Sequence, residues 1–277
     1  MSPADRIRRI LVALDASPHS LSALQAAAEL AAELSAELVG VFVEDSSLVR
    51  LAALPVTREI GQTSARIREL DERTMDRQLR SLARRAEQAL AREAGRLQVD
   101  WSFRVSRGTV GAELWGAASE ADLVVMGRTG WSARRRAGSS VEAVLASGMR
   151  RTLVIGTGAR LQPTLLVVHD GSEMAGRALE TAALLAKSKG GYLAVAIARP
   201  DPEQARRLQR QVAEQLRPHG LQVRYRWLHS SDSRALAELV ATEQRCVLVL
   251  PAEAPQLHDL PLPEVLEIIN CPVLIVR

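Results

Sequence analysis

Aromatic residues make up only 3% of this 277-residue chain, so its interior must be packed with Leu, Val, Ile and Ala. Lysine is confined to Lys187 and Lys189, which leaves arginine to carry nearly all the positive charge. There are two cysteines, Cys246 and Cys271, both beside predicted strands. Buried free thiols are the default reading of the two, and a reducing compartment fits them. No apolar run approaches the roughly 20 residues that span a bilayer. The apolar run after Arg6, Arg8 and Arg9 stops at Asp15, too soon for a signal-peptide core. A cytoplasmic chain without membrane contact is expected. His19, His169, His219, His229 and His258 show no metal-ligand spacing, and the cysteines form no C-x2-C pair, so no metal is expected. The G-x4-G-K-[ST] loop and the G-x-S-x-G elbow are both missing, which sets aside P-loop and α/β-hydrolase chemistry.

What is present suits a packed globular protein: 47% hydrophobic and 25% charged residues, over a length sufficient for two domains. The net charge of +4 is mild. Asp and Glu are interleaved with Arg almost everywhere. A nucleic-acid binder would concentrate its cations and intersperse aromatic stacking platforms, so no nucleic-acid partner is expected.

The chain repeats itself. Ile10–Leu38 and Leu165–Leu193 align without gaps and share 11 of 29 positions. Most matches are Ala or Leu. The informative ones are Val12 with Val167, Asp15 with Asp170 and Ser17 with Ser172, which fall at one strand-to-helix turn. Ala121–Gly127 pairs with Arg245–Pro251, and Thr152–Gly156 with Pro272–Arg277. So long a repeat signals duplicated domains, divided as 1–158 and 159–277.

Each copy alternates strand and helix. Arg9–Asp15 is a continuous apolar run, as expected of a strand buried on both faces. Ser17 and Pro18 then supply an N-cap and a first helical residue. Further strands are expected at Val39–Val43, Val99–Val105, Leu123–Met126 and Thr152–Ile155. Helices are expected over 18–36, 64–94, 109–119 and 139–146. The second copy places strands near 164–169, 192–197, 223–228, 247–250 and 272–276. The fold class is therefore α/β: two tandem doubly wound five-stranded parallel sheets, order 3-2-1-4-5, with helices on both faces. Each sheet's switch point lies between strands 1 and 4, where ligands of such sheets bind. In the first copy this selects Asp15–Pro18 and Gly127–Ser140. The last strands of the two sheets are expected to cover each other's edges, making a pseudo-dimer within one chain.

Met126–Ser140 carries the chemistry. Gly127, Gly130 and Gly138 permit close backbone approach. Ser139 and Ser140 open a helix whose free amides suit phosphate. Arg128, Arg134, Arg135 and Arg136 add cations. Composition alone leaves two readings open: a polyphosphate cradle, or a solvated loop followed by an ordinary Ser cap. In the second copy the matching segment, Leu250–Glu264, has no glycine, four prolines and three acidic residues. Proline removes donors and acids repel phosphate.

These features together resemble the universal stress protein family. That family places an Asp after strand 1, often as Asp-Gly-Ser; Asp15-Ala16-Ser17 and Asp170-Gly171-Ser172 match. Its ATP-binding members carry G-x2-G-x9-G-[ST] after strand 4. Gly127-x2-Gly130 followed by Gly138-Ser139 matches, with seven intervening residues instead of nine. The resemblance implies ATP or a related adenine nucleotide as ligand. Asp15 and the backbone of Ala13 and Leu14 would lie near ribose and base. Val41 would flank adenine and Met126 would lie beneath the nucleotide. Gly127, Thr129, Gly130, Gly138, Ser139 and Ser140 would hold ribose and phosphates.

The function so implied is a nucleotide-responsive stress or signalling module with an unidentified protein partner and at most slow ATP hydrolysis, since no general base pairs visibly with Asp15. Two alternatives stand beside it: a ligand-independent interaction scaffold, and an enzyme acting on an adenylated small molecule in the same cleft. Gly156-Thr157-Gly158 precedes a strand and is read as interdomain linker, not a dinucleotide fingerprint. His169 is expected to be a satisfied buried imidazole. Trp101, Trp115, Trp131 and Trp227 are expected in core or rim, and Trp131 alone, by its place in the loop, could instead shield a nucleotide. The insertion Ser46–Arg80 is expected to be a helical cover, with Leu48–Pro55 as its apolar stretch.

Overall fold

The computed structural model describes residues 6–52, 58–60, 67–69, 72–128, 148–188, 190–199, 201–228, 230, 232–243, 245–255, 265–266 and 268–277. The strands among the described residues are β1 (Arg9–Leu14), β2 (Glu37–Asp45), β3 (Arg58–Ile60), β4 (Ile67–Glu69), β5 (Trp101–Gly108), β6 (Leu123–Gly127), β7 (Arg151–Ile155), β8 (Thr164–His169), β9 (Tyr192–Ala198), β10 (Gln222–Leu228), β11 (Cys246–Pro251) and β12 (Val273–Val276). The helices among the described residues are α1 (Pro18–Leu34), α2 (Ser46–Ala52), α3 (Glu72–Leu97), α4 (Val110–Ala118), α5 (Glu173–Ser188), α6 (Pro202–Leu216) and α7 (Ser233–Glu243).

β5-β2-β1-β6-β7 and β10-β9-β8-β11-β12 each have the expected order 3-2-1-4-5, with parallel pairing throughout. The two sheets do not stand apart. β7 and β12 pair antiparallel, Leu153 opposite Leu274 and Val154 opposite Val273, so a single ten-stranded sheet runs through both halves. All residues of β7 and β12 are buried. An apolar edge of this kind requires a partner, and each half supplies the other's.

Periodicity of two sorts the β1 side chains. Ile10, Val12 and Leu14 join the cluster beneath α1 and α3, which continues under α5 and α6. Leu11 belongs to the opposite cluster, beneath α4 and α7. α1 starts where the sequence placed its cap: the Ser17 hydroxyl accepts the Ser20 amide, and Pro18 follows. It ends at Ser35, in the left-handed region at φ 52°.

Two expectations are corrected. The helix expected from Ser64 starts at Glu72, and Ile67–Glu69 is instead a strand paired with β3 in a small antiparallel hairpin. The insertion is thus not wholly helical: α2 packs against α3, and the hairpin lies between them in sequence. Trp101, Trp115 and Trp227 are rim residues, 39%, 58% and 37% exposed, and none is core. The expected helix 139–146, Trp131 and part of Leu48–Pro55 lie outside the described residues.

Candidate functional site

The switch point of the first half is the parallel junction of β1 and β6, with Ile10 beside Leu123 and Val12 beside Val125. Continuing that register puts Ala13 beside Met126 and Leu14 beside Gly127. On the other side of β1, Ala13 pairs with Val41. Val41, Ala13 and Met126 therefore form one row across three adjacent strands. All three face the α4 side, where Val41 and Met126 are 2% and 3% exposed. Leu14 points to the other face, into the α1 cluster, so only its backbone lies at the junction.

Asp15 leaves this row at the strand end. Its Oδ1 accepts the Ser17 amide at 2.9 Å, and its own amide donates to the Ser20 hydroxyl. Between them Ala16 takes a positive φ of 59°, a conformation costly for a residue with a Cβ. In the second half the Ser172 amide donates to Asp170 Oδ1, also at 2.9 Å, and the middle residue is Gly171 at φ 86°. The turn is the same object twice. Its carboxylate fixes the entry of the following helix in both halves.

Gly127 and Arg128 have structural work that composition did not reveal. A Cβ on Gly127 would stand 2.8 Å from the His19 Cβ, so the strand exit needs glycine to pass beneath the first turn of α1. Arg128 was expected among the loop cations. Its guanidinium instead donates to the main-chain carbonyls of Ile269, at 2.9 Å, and Cys271, at 3.4 Å, in the other half. Its amide donates to Ile155, extending the sheet. Thr129, Gly130, Arg134–Arg136, Gly138, Ser139 and Ser140 lie outside the described residues.

The linker 156–162 is tied down beside this point. The Thr157 hydroxyl lies 2.7 Å from His19 Nδ1, and the Gly158 amide donates to the Ser22 hydroxyl at 3.0 Å. Sequence reasoning identified the linker but missed both contacts with α1.

At the end of β8, His169 occupies the place that Leu14 has in β1. Its Nδ1 accepts the Gly171 amide at 3.1 Å, which makes Nε2 the protonated nitrogen of the neutral ring. Among the described residues the buried Nε2 has no hydrogen-bond partner, so there the imidazole is only half satisfied, against the expected full satisfaction. Burial holds its pKa below the usual 6.5; the Asp170 carboxylate opposes the shift and Arg199 reinforces it. β11 then ends at Pro251, with Ala252, Glu253, Ala254 and Pro255 following. The Ala252 amide donates to Val276 as Arg128 does to Ile155, so the backbone path matches while the side chains do not. Among the described residues no cluster of His, Cys, Asp and Glu could hold a metal ion, and no helix is long and apolar enough to cross a membrane.

The sequence model of the universal stress protein family matches residues 6–155. No curated protein matches the chain in sequence. A universal stress protein from Archaeoglobus fulgidus DSM 4304 shares the fold at a TM-score of 0.74 and 16% identity, covering 100% of this chain and 99% of that one. A protein from Pseudomonas aeruginosa UCBPP-PA14, described as a candidate universal stress protein, aligns at 0.60 and 15%, covering 99% of this chain and 95% of its own. A functionally unknown protein from Pseudomonas aeruginosa PAO1 aligns at 0.59 and 14%, covering 99% and 93% respectively. At these identities the likeness concerns the fold, and it extends over both halves.

Proposed function

The chain belongs to the universal stress protein family, and on that premise we propose that residues 1–158 bind ATP or a related adenine nucleotide while residues 159–277 serve as a ligand-free partner half. The observation that carries this reading is the row Val41–Ala13–Met126, with Asp15 at its end. An apolar row beside a carboxylate suits a purine with its ribose hydroxyls, and the segment rich in Gly, Arg and Ser departs from the same strand end. Asp15 and the backbone of Ala13 and Leu14 would hold ribose and base. Gly130, Gly138, Thr129, Ser139 and Ser140 would supply amides and hydroxyls to the phosphates. Nucleotide bound there would bias the surface offered to a partner. Efficient turnover is not part of the reading: the Asp15 carboxylate already accepts the Ser17 amide, a turn-holding role. The module would act in the cytoplasm, through a protein partner.

A second reading, a ligand-independent scaffold, is favoured by one observation. Gly127 is accounted for by His19, and Arg128 by the Ile269 and Cys271 carbonyls. Two residues of the phosphate segment thus have packing roles that need no ligand. Mass spectrometry of the small molecules released by heating the purified chain separates the readings, followed by calorimetric titration with ATP. The nucleotide reading expects an adenine nucleotide and saturable binding that Gly130→Val abolishes. No released nucleotide and no heat of binding leave the scaffold.

A further inference from the structure

β11 and β12 pair in parallel with Leu248 beside Val273, so two residues upstream Cys246 stands beside Cys271. The Leu248 amide donates to the Pro272 carbonyl and keeps the ladder in register up to that point. Both side chains belong to the same apolar cluster, beneath α7. Neighbouring strands lie about 4.8 Å apart, inside the Cα separation of roughly 4.4–6.8 Å that a disulfide tolerates. The two thiols are close enough to perturb each other's ionisation. The surroundings of the two sulfurs differ. The Arg128 guanidinium and the Leu248 amide lie beside Cys271, whereas Glu243 lies beside Cys246. Cys271 is also the more exposed, 7% against 1%.

We propose that Cys246 and Cys271 are a thiol pair that a peroxide converts to a reversible disulfide within the chain. Cys271 is the attacking thiol. Its thiolate displaces hydroxide from hydrogen peroxide, which leaves as water after taking up a proton, and Cys271 becomes a sulfenic acid. The Cys246 sulfur then attacks the Cys271 sulfur. The S–O bond breaks, the S–S bond forms, and a second water departs with the Cys246 proton. Both cysteines are oxidised by one electron each and one peroxide is reduced. A dithiol reductant reverses the step by exchange. The shifts point the same way: the neighbouring Cys246 thiol, with the Arg128 charge, holds the Cys271 thiol below its ordinary value despite burial, and Cys271 together with burial pushes Cys246 upward. A cationic neighbour and a lowered thiol mark the reactive member of such a pair.

The test uses the full chain. Hydrogen peroxide treatment, alkylation and intact-mass measurement are expected to show loss of about 2 Da with both thiols protected, and dithiothreitol to restore two alkylatable thiols. Cys246→Ser is expected to accumulate a dimedone-reactive Cys271, and Cys271→Ser to leave Cys246 reduced. Two free thiols after a peroxide dose that fully oxidises the urea-unfolded chain would overturn the proposal. So would a disulfide between chains, or dimedone labelling of Cys246. The wild-type mass and thiol count decide the matter even where a serine variant fails to fold.

Discussion

Gly127 passes so close beneath His19 that a β-carbon added to it would stand 2.8 Å from the His19 Cβ and 2.9 Å from the His19 carbonyl carbon. The obstacle is helix backbone and cannot swing aside. Gly127→Ala is expected to lower the unfolding free energy by about 1–3 kcal/mol, the usual cost of overpacking. Gly116 in α4 has nothing within 4 Å of an added Cβ, so Gly116→Ala is expected to be neutral or stabilising by roughly 0.5–1 kcal/mol. Urea titration of both variants checks the contrast. Equal midpoints would show that the start of α1 yields freely.

The two Asp turns predict substitutions of opposite sign. Ala16 holds φ 59° and Gly171 holds φ 86° in equivalent turns. Ala16→Gly relieves a left-handed residue and is expected to raise stability by up to about 1 kcal/mol, offset in part by the freer unfolded chain. Gly171→Ala imposes the same conformation and brings a Cβ within 3.1 Å of the Arg199 guanidinium, so it is expected to cost about 1 kcal/mol or more. Thermal unfolding midpoints that move in the same direction for both variants would refute the shared-turn account.

Some of this was legible from particular residues. The apolar runs Ile10–Leu14 and Leu123–Met126 must be doubly buried strands, and strand order then places Ala13 between Val41 and Met126. The edge pairing of Thr152–Ile155 with Pro272–Val276 followed from apolar strands with no other cover. Once strands 4 and 5 are neighbours, Cys246 beside Cys271 was readable too, since each lies two residues before a paired position. Ile67–Glu69 was not legible, because three residues show no period that separates helix from strand. Nor was Arg128: an arginine beside a glycine looks like a phosphate ligand until the other half's carbonyls come within reach. Gly127 fails for the same reason. Composition cannot say whether a missing Cβ makes room for a ligand or for helix α1.

His169 gives the stability a pH dependence with a defined sign. Burial lowers its pKa in the folded chain, while the unfolded chain takes up a proton near 6.5. Below that value the unfolded state binds more protons, so stability falls as pH drops from about 6.5 toward the lowered folded value. Above neutrality the residue contributes no slope. His169→Leu, the residue found at position 14, is expected to shrink the loss of stability between about pH 7.5 and pH 5.5. Denaturant midpoints at the two pH values check it. A variant with an undiminished difference would assign the slope to other groups.

Glu243 ends α7 with a side chain only 2% exposed, held by Arg226 at 2.5 Å and by Arg224 at 3.7 Å. The two arginines are not equivalent. Arg226→Ala leaves a buried carboxylate on its distant partner and is expected to cost about 1–3 kcal/mol, in the range of a charge-assisted hydrogen bond. Arg224 is 66% exposed, and Arg224→Ala is expected to cost less than about 1 kcal/mol. Chemical denaturation orders the two variants, and the reverse order would contradict the geometry.

The halves are expected to differ in nucleotide binding, so that one ATP binds per chain. The second half keeps the turn, with Ser172 donating to Asp170, because that turn starts α5 whatever the cleft holds. Beyond β11 the glycines are gone. Pro251 and Pro255 carry no amide hydrogen, the Ala252 amide is spent on the Val276 carbonyl, and the Ala254 amide on the Pro251 carbonyl. Glu253, Asp259 and Glu264 add negative charge along the segment that would have to follow a triphosphate. Each change is tolerable in a folded chain, yet together they remove donors and introduce repulsion. Calorimetric titration of the full chain is therefore expected to give a stoichiometry near one. Gly130→Val, which leaves the second half untouched, is expected to abolish all of the binding. Residual saturable binding of one nucleotide in that variant would place a site in the second half and overturn the division between them.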